Sequence, residues 1–473
     1  MTIFNEIKIG IKQAIIHEEN LENKIQINIP EKANELIFAL QDHGHDASVV
    51  GGCVRDSILG KIPHDWDICT SATPTEMLEI FKNKKIIETG LKHGTITVVM
   101  DDEQYEITTY RIDGEYSDNR RPDAVLFTNE LTEDLKRRDF TINAIAYNDT
   151  EGLIDPFGGL NDIRERKIRC VGSAKNRFEE DALRILRAIR FSAQLDFDID
   201  SETAEEIRKQ HTRLGNISVE RICSEFRKIV ISPRFPSLLS IFPSVFSFII
   251  PDLASTIGFQ QNNPYHAYDV FEHTIHALEN CHSDDPIVKL AVFFHDFGKP
   301  YSYQDSEDGY RHFHDHGNVS AIFTDRIMED LKFDSETRIN VVQLVRHHDA
   351  TFEVSKKCVK RWLNKIGEIQ FRRLLEVRKA DIKGQSLNYN PARIQKVENI
   401  EKVLKEILEE KECFSLKDLA INGKDLIEAG FKEGKGIGII LNFLLHQVMD
   451  GEIENKKEVL LGKARKVKEK THE

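Results

Sequence analysis

The sequence predicts a mixed α/β head followed by an all-helical remainder, and three observations carry that expectation. Between residues 30 and 150, strand-length apolar runs alternate with helix-period runs. From about residue 151 onward the apolar residues recur at helical spacing. Pro233, Pro236, Pro243 and Pro251 then crowd one short stretch, which reads as a boundary between modules. With 473 residues the chain has room for about three domains.

Residues 1–25 are polar and read as a short helical lead-in. Ser48-Val49-Val50 reads as a strand, Gly51-Gly52 as a tight turn and Val54–Leu59 as a short helix. His64–Thr70 reads as a second strand. The next helix has a strong start: Thr73 as cap, Pro74 at the first helical position and Glu76 closing a capping box. Thr95–Met100 and Tyr105–Arg111 flank an acidic turn and predict a hairpin. Arg177–Gln194 carries Phe178, Ala182, Leu186 and Ile189 at helical spacing, with Asn176 and Glu179 as its capping pair. Residues 218–231 and 266–282 predict further helices, residues 390–412 a charged helix, and about the last sixty residues a small helical tail.

Composition bounds what such a chain can do. Lys plus Arg is 65 and Asp plus Glu is 79, a net charge of −14, with 40% hydrophobic and 30% charged residues. That excludes a disordered or fibrous chain and a protein that coats nucleic acid by bulk charge, but leaves local basic patches open. The longest apolar runs, Val245–Ile250 and Leu290–Phe294, fall far short of the ~20 residues of a membrane span. MTIFNEIKIG shows no basic stretch followed by an apolar one, hence no secretory signal. Seven scattered cysteines, never in a CxxC pair, argue against a disulfide framework or structural zinc and for a reducing, cytoplasmic setting.

Asp65 and Asp67 stand two apart on the second predicted strand, so their carboxylates share a face. That pair suits hard cations such as Mg²⁺ held between protein and a triphosphate. A lone DxD is common in an acidic chain, and Asp196-Phe-Asp198-Ile-Asp200 contains two more. The neighbourhood distinguishes the first pair. Gly51-Gly52 lets backbone approach phosphate closely, with Gly52 and Arg55 as candidate contacts. Glu106, on a hairpin strand, is a candidate third carboxylate.

Of the chain's eighteen histidines, ten cluster in residues 266–348. His273, His295-Asp296, His316, His348 and Asp381 form an ordered series whose imidazoles and carboxylates suit Mn, Ni, Fe or Zn. His347 competes with His348 as a ligand, and His312 or His314 with His316. Three basic stretches break the acidic background. Arg164–Arg190 has nine basic and four acidic residues, Ser355–Lys379 nine and two, and Lys456–Lys470 seven and two. Such stretches suit a large anionic partner bound along one face.

The segment GGCVRDSILGKIPHDWDICTSATP resembles the first motif of the class II tRNA nucleotidyltransferase and bacterial poly(A) polymerase family. KHGTITVV and YEITTYR resemble its hairpin, and Arg120-Arg121-Pro122 in DGEYSDNRRPDAV its flexible loop. RRDFTINAIAYN, DPFGGLNDIRERKIRCVG, EDALRILRAIRF and SVERICSEFRKIV resemble its ribose-contacting, linker, nucleotide-selecting and neck motifs. The motifs occur in order over about residues 35–250. The histidine series resembles an HD-domain phosphohydrolase, and SLKDLAINGKDLIEAGFKEGKGIGIILNFLLHQV resembles a tRNA-binding tail. There the Gly434-Lys435-Gly436-Ile437-Gly438 run opens a helix but lacks the family's proline.

The resemblance implies an α/β nucleotidyltransferase head with a DNA polymerase β-like mixed sheet, followed by an all-α neck, HD body and tail. The corresponding spans are residues 30–160, 161–250, 251–389 and 390–473. It implies addition of C, C and A to the tRNA 3′ end from CTP and ATP without a nucleic-acid template, with Mg²⁺ at the head. Partners would be tRNA and nucleotides, with no DNA and no membrane, and the protein a monomer or homodimer. Asp181 and Arg184, three apart on a helix, can read the Watson–Crick edge of C or A, in which an amine adjoins a ring nitrogen. Arg187 and Arg190 would hold the triphosphate, and Arg138 would contact the nucleotide beside Asp139. The HD module implies Ni²⁺- or Mn²⁺-dependent phosphomonoesterase or 2′,3′-cyclic phosphodiesterase action on RNA ends. Rival readings are CC-adding, A-adding or poly(A)-adding enzymes, an HD hydrolase with a non-catalytic RNA-binding head, and a non-catalytic RNA-binding protein. The loop DGEYSDNRRP weighs against CC-only addition.

Overall fold

A computed structural model describes residues 25–114, 125–264, 266–386 and 391–470. The expected lead-in (residues 1–25) lies almost wholly outside the described residues, and Arg120-Arg121-Pro122 entirely so. The chain divides into two units. One runs to Arg234 and takes in Phe242–Ile249; the other holds Phe235–Ile241 and the chain from Ile250 onward.

The first unit is built on a seven-stranded mixed sheet. Its strands are β1 (Ala47–Val50), β2 (Ile68–Thr70), β3 (Lys85–Ile87), β4 (Thr95–Met100), β5 (Glu103–Thr109), and later β8 (Ala146–Asn148) and β9 (Gly152–Ile154). A separate pair, β6 (Arg111–Asp113) and β7 (Val125–Phe127), is antiparallel. The sheet order is β3-β4-β5-β2-β1-β8-β9, with β2 and β5 parallel and the other neighbours antiparallel. β1 and β2 are central and every residue of both is buried, which explains why ASVV and ICT read as near-continuous small and apolar runs. The β4–β5 hairpin turns through Asp101 and Asp102 at φ 47° and 68°, a backbone region aspartate tolerates better than bulky residues. Under the sheet, Val50, Cys69, Tyr110, Leu135, Ala144, Ala146 and Val171 form a buried cluster.

Three local expectations are corrected. The second strand begins at Ile68, so Asp65 and Asp67 sit in its extended lead-in, which Val50 N–H ties down by donating to the Asp67 carbonyl at 3.0 Å. The first short helix starts at Gly52, two residues early. The single helix expected over residues 177–194 is two, Ala174–Glu180 and Leu183–Leu195, and the first starts after Ser173, not at Asn176. The break falls at Asp181 (φ −140°, ψ 104°), whose side chain accepts from Leu183 N–H at 3.0 Å. An aspartate offers backbone N–H groups a competing partner, so it favours helix starts over interiors. The capping box at Thr73 and Glu76 is present as expected.

The second unit is helical. Val270–Glu279, Pro286–Phe294, His316–Asp330, Ser335–His347 and Glu368–Gly384 surround an interior that includes Phe293, Phe294, Phe297 and Phe371. Their starts are local: Asp269, Asp285 and Asp334 each accept a backbone N–H at 2.7–2.8 Å, worth about 1 kcal/mol per cap. The last helices, Lys435–Met449 and Lys457–Lys470, close over a smaller cluster of Leu426, Leu444, Leu445, Leu460 and Ala464. Among the described residues no helix is long and apolar enough to cross a membrane.

Candidate functional site

In the first unit, β2 runs parallel to β5 with Ile68 opposite Ile107. The preceding residues, Asp67 and Glu106, therefore stand side by side where β2 begins, with Asp65 just upstream, and all three are exposed. Partial desolvation in this recess and the charge of Glu106 raise the Asp67 carboxyl above its ordinary value; Arg138 opposes and Asp65 adds to the rise. The three carboxylates are near enough to act on one another electrostatically, which favours a cation among them, although their oxygens are not drawn into one tight ligand cluster.

Gly51 lies next to them at φ 83°, and a Cβ there would come within 3.1 Å of Arg138 Nη1. Both the backbone and the space demand glycine, more so than at Gly52, where a Cβ would make ordinary contact at 3.8 Å. Arg138 keeps a buried Nε without a partner, and Nη2 donates to Asp134 at 3.2 Å. Of its donors, Nη1 is the one set against the glycine turn.

The other arginines expected to meet nucleotide are bonded inside the protein. Arg55 is buried and donates to Asp56 at 2.9 and 3.0 Å and to Asn143 at 2.6 Å. Arg187 donates twice to Asp139, which also accepts from Asn143 at 3.0 Å. Burial opposes ionisation of Asp139, but Arg187 and Asn143 hold its carboxyl at about 2. Arg190 Nε stands 2.7 Å from Glu225, with its guanidinium over the Phe191 ring. The helix break separates Asp181 from the face that carries Arg184. Asp181 accepts from Arg221 at 2.9 Å, while Arg184 pairs with Glu180 and donates to the Arg137 carbonyl at 3.1 Å. Sequence reading missed Asn143 and Asp134, which bond these arginines; Asn143 lies within the RRDFTINA segment, but nothing local marks Asp134.

The aspartates at 196–200 behave as structure. Asp196 pairs with Arg166, Asp198 with Arg234, and Asp200 with Arg169.

In the second unit, His273, His295, Asp296, His316, His348 and Asp381 come together, all buried. His273 Nε2 is 3.0 Å from His295 Nε2 and 3.3 Å from both Asp296 and Asp381. His316 Nε2 is 3.1 Å from His348 Nε2, and each lies 3.6 Å from Asp296 Oδ1. His347 instead packs on Trp362, and His312 and His314 lie outside the cluster. The Nδ1 atoms of His295, His316 and His348 approach the carbonyls of Val292, Phe313 and Val345 at 2.7–3.0 Å. Those contacts assign the proton to Nδ1 and leave the Nε2 lone pairs of His316 and His348 facing each other. Asp296 receives no well-aligned hydrogen bond at either buried oxygen, although Lys299 Nζ stands 2.6 Å away. Facing lone pairs and an under-bonded carboxylate fit a bound cation. An adjoining cavity of about 630 Å³ is lined by His266, Lys299, Tyr310, His312 and Arg393, among others. His266 was not expected there; its ring packs edge-on against His273.

Gly384 sets this cluster. A Cβ there would fall 2.6 Å from the backbone nitrogen of Ala277, so only glycine lets Glu368–Gly384 cross Val270–Glu279 this closely. Asp381 and His273 sit one turn back on the two helices. Gly384→Ala is expected to destabilise the protein by about 1–3 kcal/mol and to disturb this cluster while sparing the first unit, measured by thermal unfolding together with metal uptake.

The basic stretches divide into paired and unengaged cations among the described residues. In Ser355–Lys379, Lys356 and Lys360 pair with Glu412, Lys357 and Arg361 with Asp450, Arg372 with Glu368, Arg373 with Asp285 and Lys379 with Glu401. Most cations of Arg164–Arg190 are likewise paired. In the final helix, Lys463, Arg465 and Lys466 have no ion pair among the described residues.

Residues 47–169 match the poly A polymerase head domain, residues 196–240 the RNA- and SrmB-binding site of polymerase A, and residues 302–464 the tRNA nucleotidyltransferase domain 2. A CCA-adding enzyme of Lactobacillus johnsonii is 50% identical over 218 residues, 46% of this chain and 54% of that protein. The chain thus spans about half the length of the Lactobacillus relatives it matches. A CCA-adding enzyme of Enterococcus faecalis is 33% identical over 93% of this chain and 96% of its own. Among solved structures, the Bacillus stearothermophilus CCA-adding enzyme in complex with CTP is similar with a TM-score of 0.64 and 27% identity, over 94% of this chain and 99% of that one.

Proposed function

The chain belongs to the CCA-adding enzyme family, and from that premise we propose that it adds C, C and A to the 3′ end of tRNA from CTP and ATP, without a nucleic-acid template. The observation that carries the reading is the placement of Asp67 beside Glu106, with Asp65 just upstream, next to the Gly51 turn and Arg138.

Family members use a divalent metal, and the hard oxygen donors of Asp65 and Asp67 fit Mg²⁺. When bound, the metal favours the alkoxide form of the attacking 3′-hydroxyl and offsets charge on the departing pyrophosphate. Arg138 offers Nη1 to the phosphates from beside Gly51. Asp139 and Asn143 hold Arg187 and Arg55 in place behind it. Asp181 accepts from the exocyclic amine of C or A, and Arg184 donates to the ring acceptor. Arg221 and Glu180 pre-orient that pair from separate elements, in place of the shared helix face the sequence suggested. G and U present the opposite donor order and leave a buried partner unmet, at about 1–3 kcal/mol per group. In titration calorimetry, CTP and ATP should therefore compete for one site, with UTP and GTP at least about tenfold weaker. Equal binding of all four would remove the base-reading role.

In the second unit we infer a metal-dependent phosphohydrolase acting on phosphomonoester or 2′,3′-cyclic phosphate RNA ends, with Ni²⁺ or Mn²⁺. The facing imidazole nitrogens and under-bonded Asp296 support it, as does the cationic wall of Lys299 and Arg393 on the adjoining cavity. Unpaired cysteines agree with a cytoplasmic setting.

For tRNA, the cations that have no ion pair among the described residues favour the final helix over the body. Lys463→Glu with Arg465→Glu should weaken tRNA binding and flatten its salt dependence, whereas Lys356→Glu should mainly cost stability, because Lys356 already serves Glu410 and Glu412. Filter binding across a salt series measures both.

A further inference from the structure

Asp134 is a carboxylate with 1% exposure in the helix Leu131–Lys136, behind the nucleotide-facing surface of the head. Its Oδ1 accepts from Arg137 Nη2 at 2.8 Å, from Arg137 Nε at 3.0 Å and from the Arg111 backbone N–H at 3.3 Å. Its Oδ2 accepts from Arg138 Nη2 at 3.2 Å. One buried group therefore ties three chain positions together. Burial opposes its ionisation, but Arg138 and Arg137 keep its carboxyl below the usual range.

What these partners touch gives the contact meaning. Arg138 points Nη1 at the Gly51 turn and acts electrostatically on Asp67. Arg137 presents its carbonyl to Arg184 Nη2 at 3.1 Å. The phosphate end and the base-reading end of the pocket are thus both anchored on residues that Asp134 holds. A guanidinium has several rotamers of similar energy, and only an acceptor at the right place selects one. Hydrogen bonds to a buried charge are worth about 1.5–3 kcal/mol, enough to fix such a choice.

We propose that Asp134 is a positioning residue for nucleotide binding, orienting Arg138 toward the triphosphate and, through the Arg137 backbone, Arg184 toward the base. This rests on the head being the nucleotide-transfer site proposed above. It adds a role for a residue that touches neither nucleotide nor the three carboxylates. Asp134→Asn keeps the shape and removes the charge. Asp134→Glu keeps the charge and displaces it by one methylene.

The test compares wild type, Asp134→Asn, Asp134→Glu, Arg138→Ala and the double variant Asp134→Asn/Arg138→Ala. It reads CTP and ATP affinity by calorimetry, KM for nucleotide and for tRNA, and thermal unfolding. Asp134→Asn should raise KM for both nucleotides about tenfold or more with KM for tRNA within about twofold. Asp134→Glu should recover part of that loss. The double variant should lose less CTP affinity than the two single losses combined, because both include the Asp134–Arg138 contact. If Asp134→Asn lowers the melting temperature but leaves nucleotide affinity and KM unchanged, the residue is structural and the proposal falls. Additive losses in the double variant also overturn it. Should Asp134→Asn fail to fold, Asp134→Glu decides by the same readouts. A wild-type protein that binds no CTP sinks the reading of the head itself; a wild type that binds CTP as well as Asp134→Asn does sinks this inference alone.

Discussion

Asp67→Ala is expected to abolish nucleotide transfer while leaving tRNA binding nearly intact. Asp67 stands beside Glu106 where β2 begins, with Asp65 just upstream. Removing one of the two proposed metal-holding carboxylates should cost about 10⁴-fold or more in turnover, roughly 5.5 kcal/mol at 1.36 kcal/mol per decade. Stability should move the other way. The folded state raises the pKa of this carboxyl, so the ionised form is disfavoured by folding and its loss relieves strain at neutral pH. An inactive protein with an unchanged or higher melting temperature, and tRNA affinity within about twofold by fluorescence anisotropy, is the expected pattern. A variant that unfolds, or that keeps transferring nucleotide, would remove Asp67 from the site.

The second large effect is in the other unit. Asp296→Asn removes a fully buried charge that stands 3.1–3.6 Å from four imidazoles and 2.6 Å from Lys299. Divalent-metal content and hydrolysis of 2′,3′-cyclic nucleotide should both be lost. Lys299 is left buried without its counterion, so stability should fall by about 3–5 kcal/mol. Addition of C, C and A to tRNA, assayed below the lowered melting temperature, should persist. Cyclic-phosphate hydrolysis that survives Asp296→Asn would place that activity elsewhere. Loss of both activities in a folded variant would show that the two reactions are not independent.

Legibility in the sequence tracked the range of the interaction. Thr73, Pro74 and Glu76 act within one turn, and the helix start they predict is where it was expected. The alternation that foretold a mixed sheet is likewise local, because β1 and β2 are buried along their whole length. Asp181 shows the limit. The apolar period runs straight through residues 177–194, yet a side-chain bond to Leu183 N–H breaks the helix there. The basic body stretch misled for a different reason: its lysines pair with Glu410, Glu412 and Asp450, which are distant in sequence. Asp134 and Gly384 were invisible because their importance lies in what tertiary packing brings against them, Arg137 and Arg138 in one case and the Ala277 backbone in the other. The histidine series was legible as a set of ligand types; geometry was needed to favour His348 over His347 and His316 over its neighbours.

The most direct measurement is the product made on tRNAs ending at the discriminator base or at CC, incubated with CTP and ATP separately and together, and read by sequencing the 3′ end. On the tRNA ending at the discriminator base, CC is expected with CTP alone, no correct addition with ATP alone, and CCA with both, stopping there. A product that stops at CC when ATP is present, one that carries A only on tRNA already ending in CC, or a tail running past CCA would each contradict this reading and identify a CC-adding, an A-adding or a poly(A)-adding enzyme in its place.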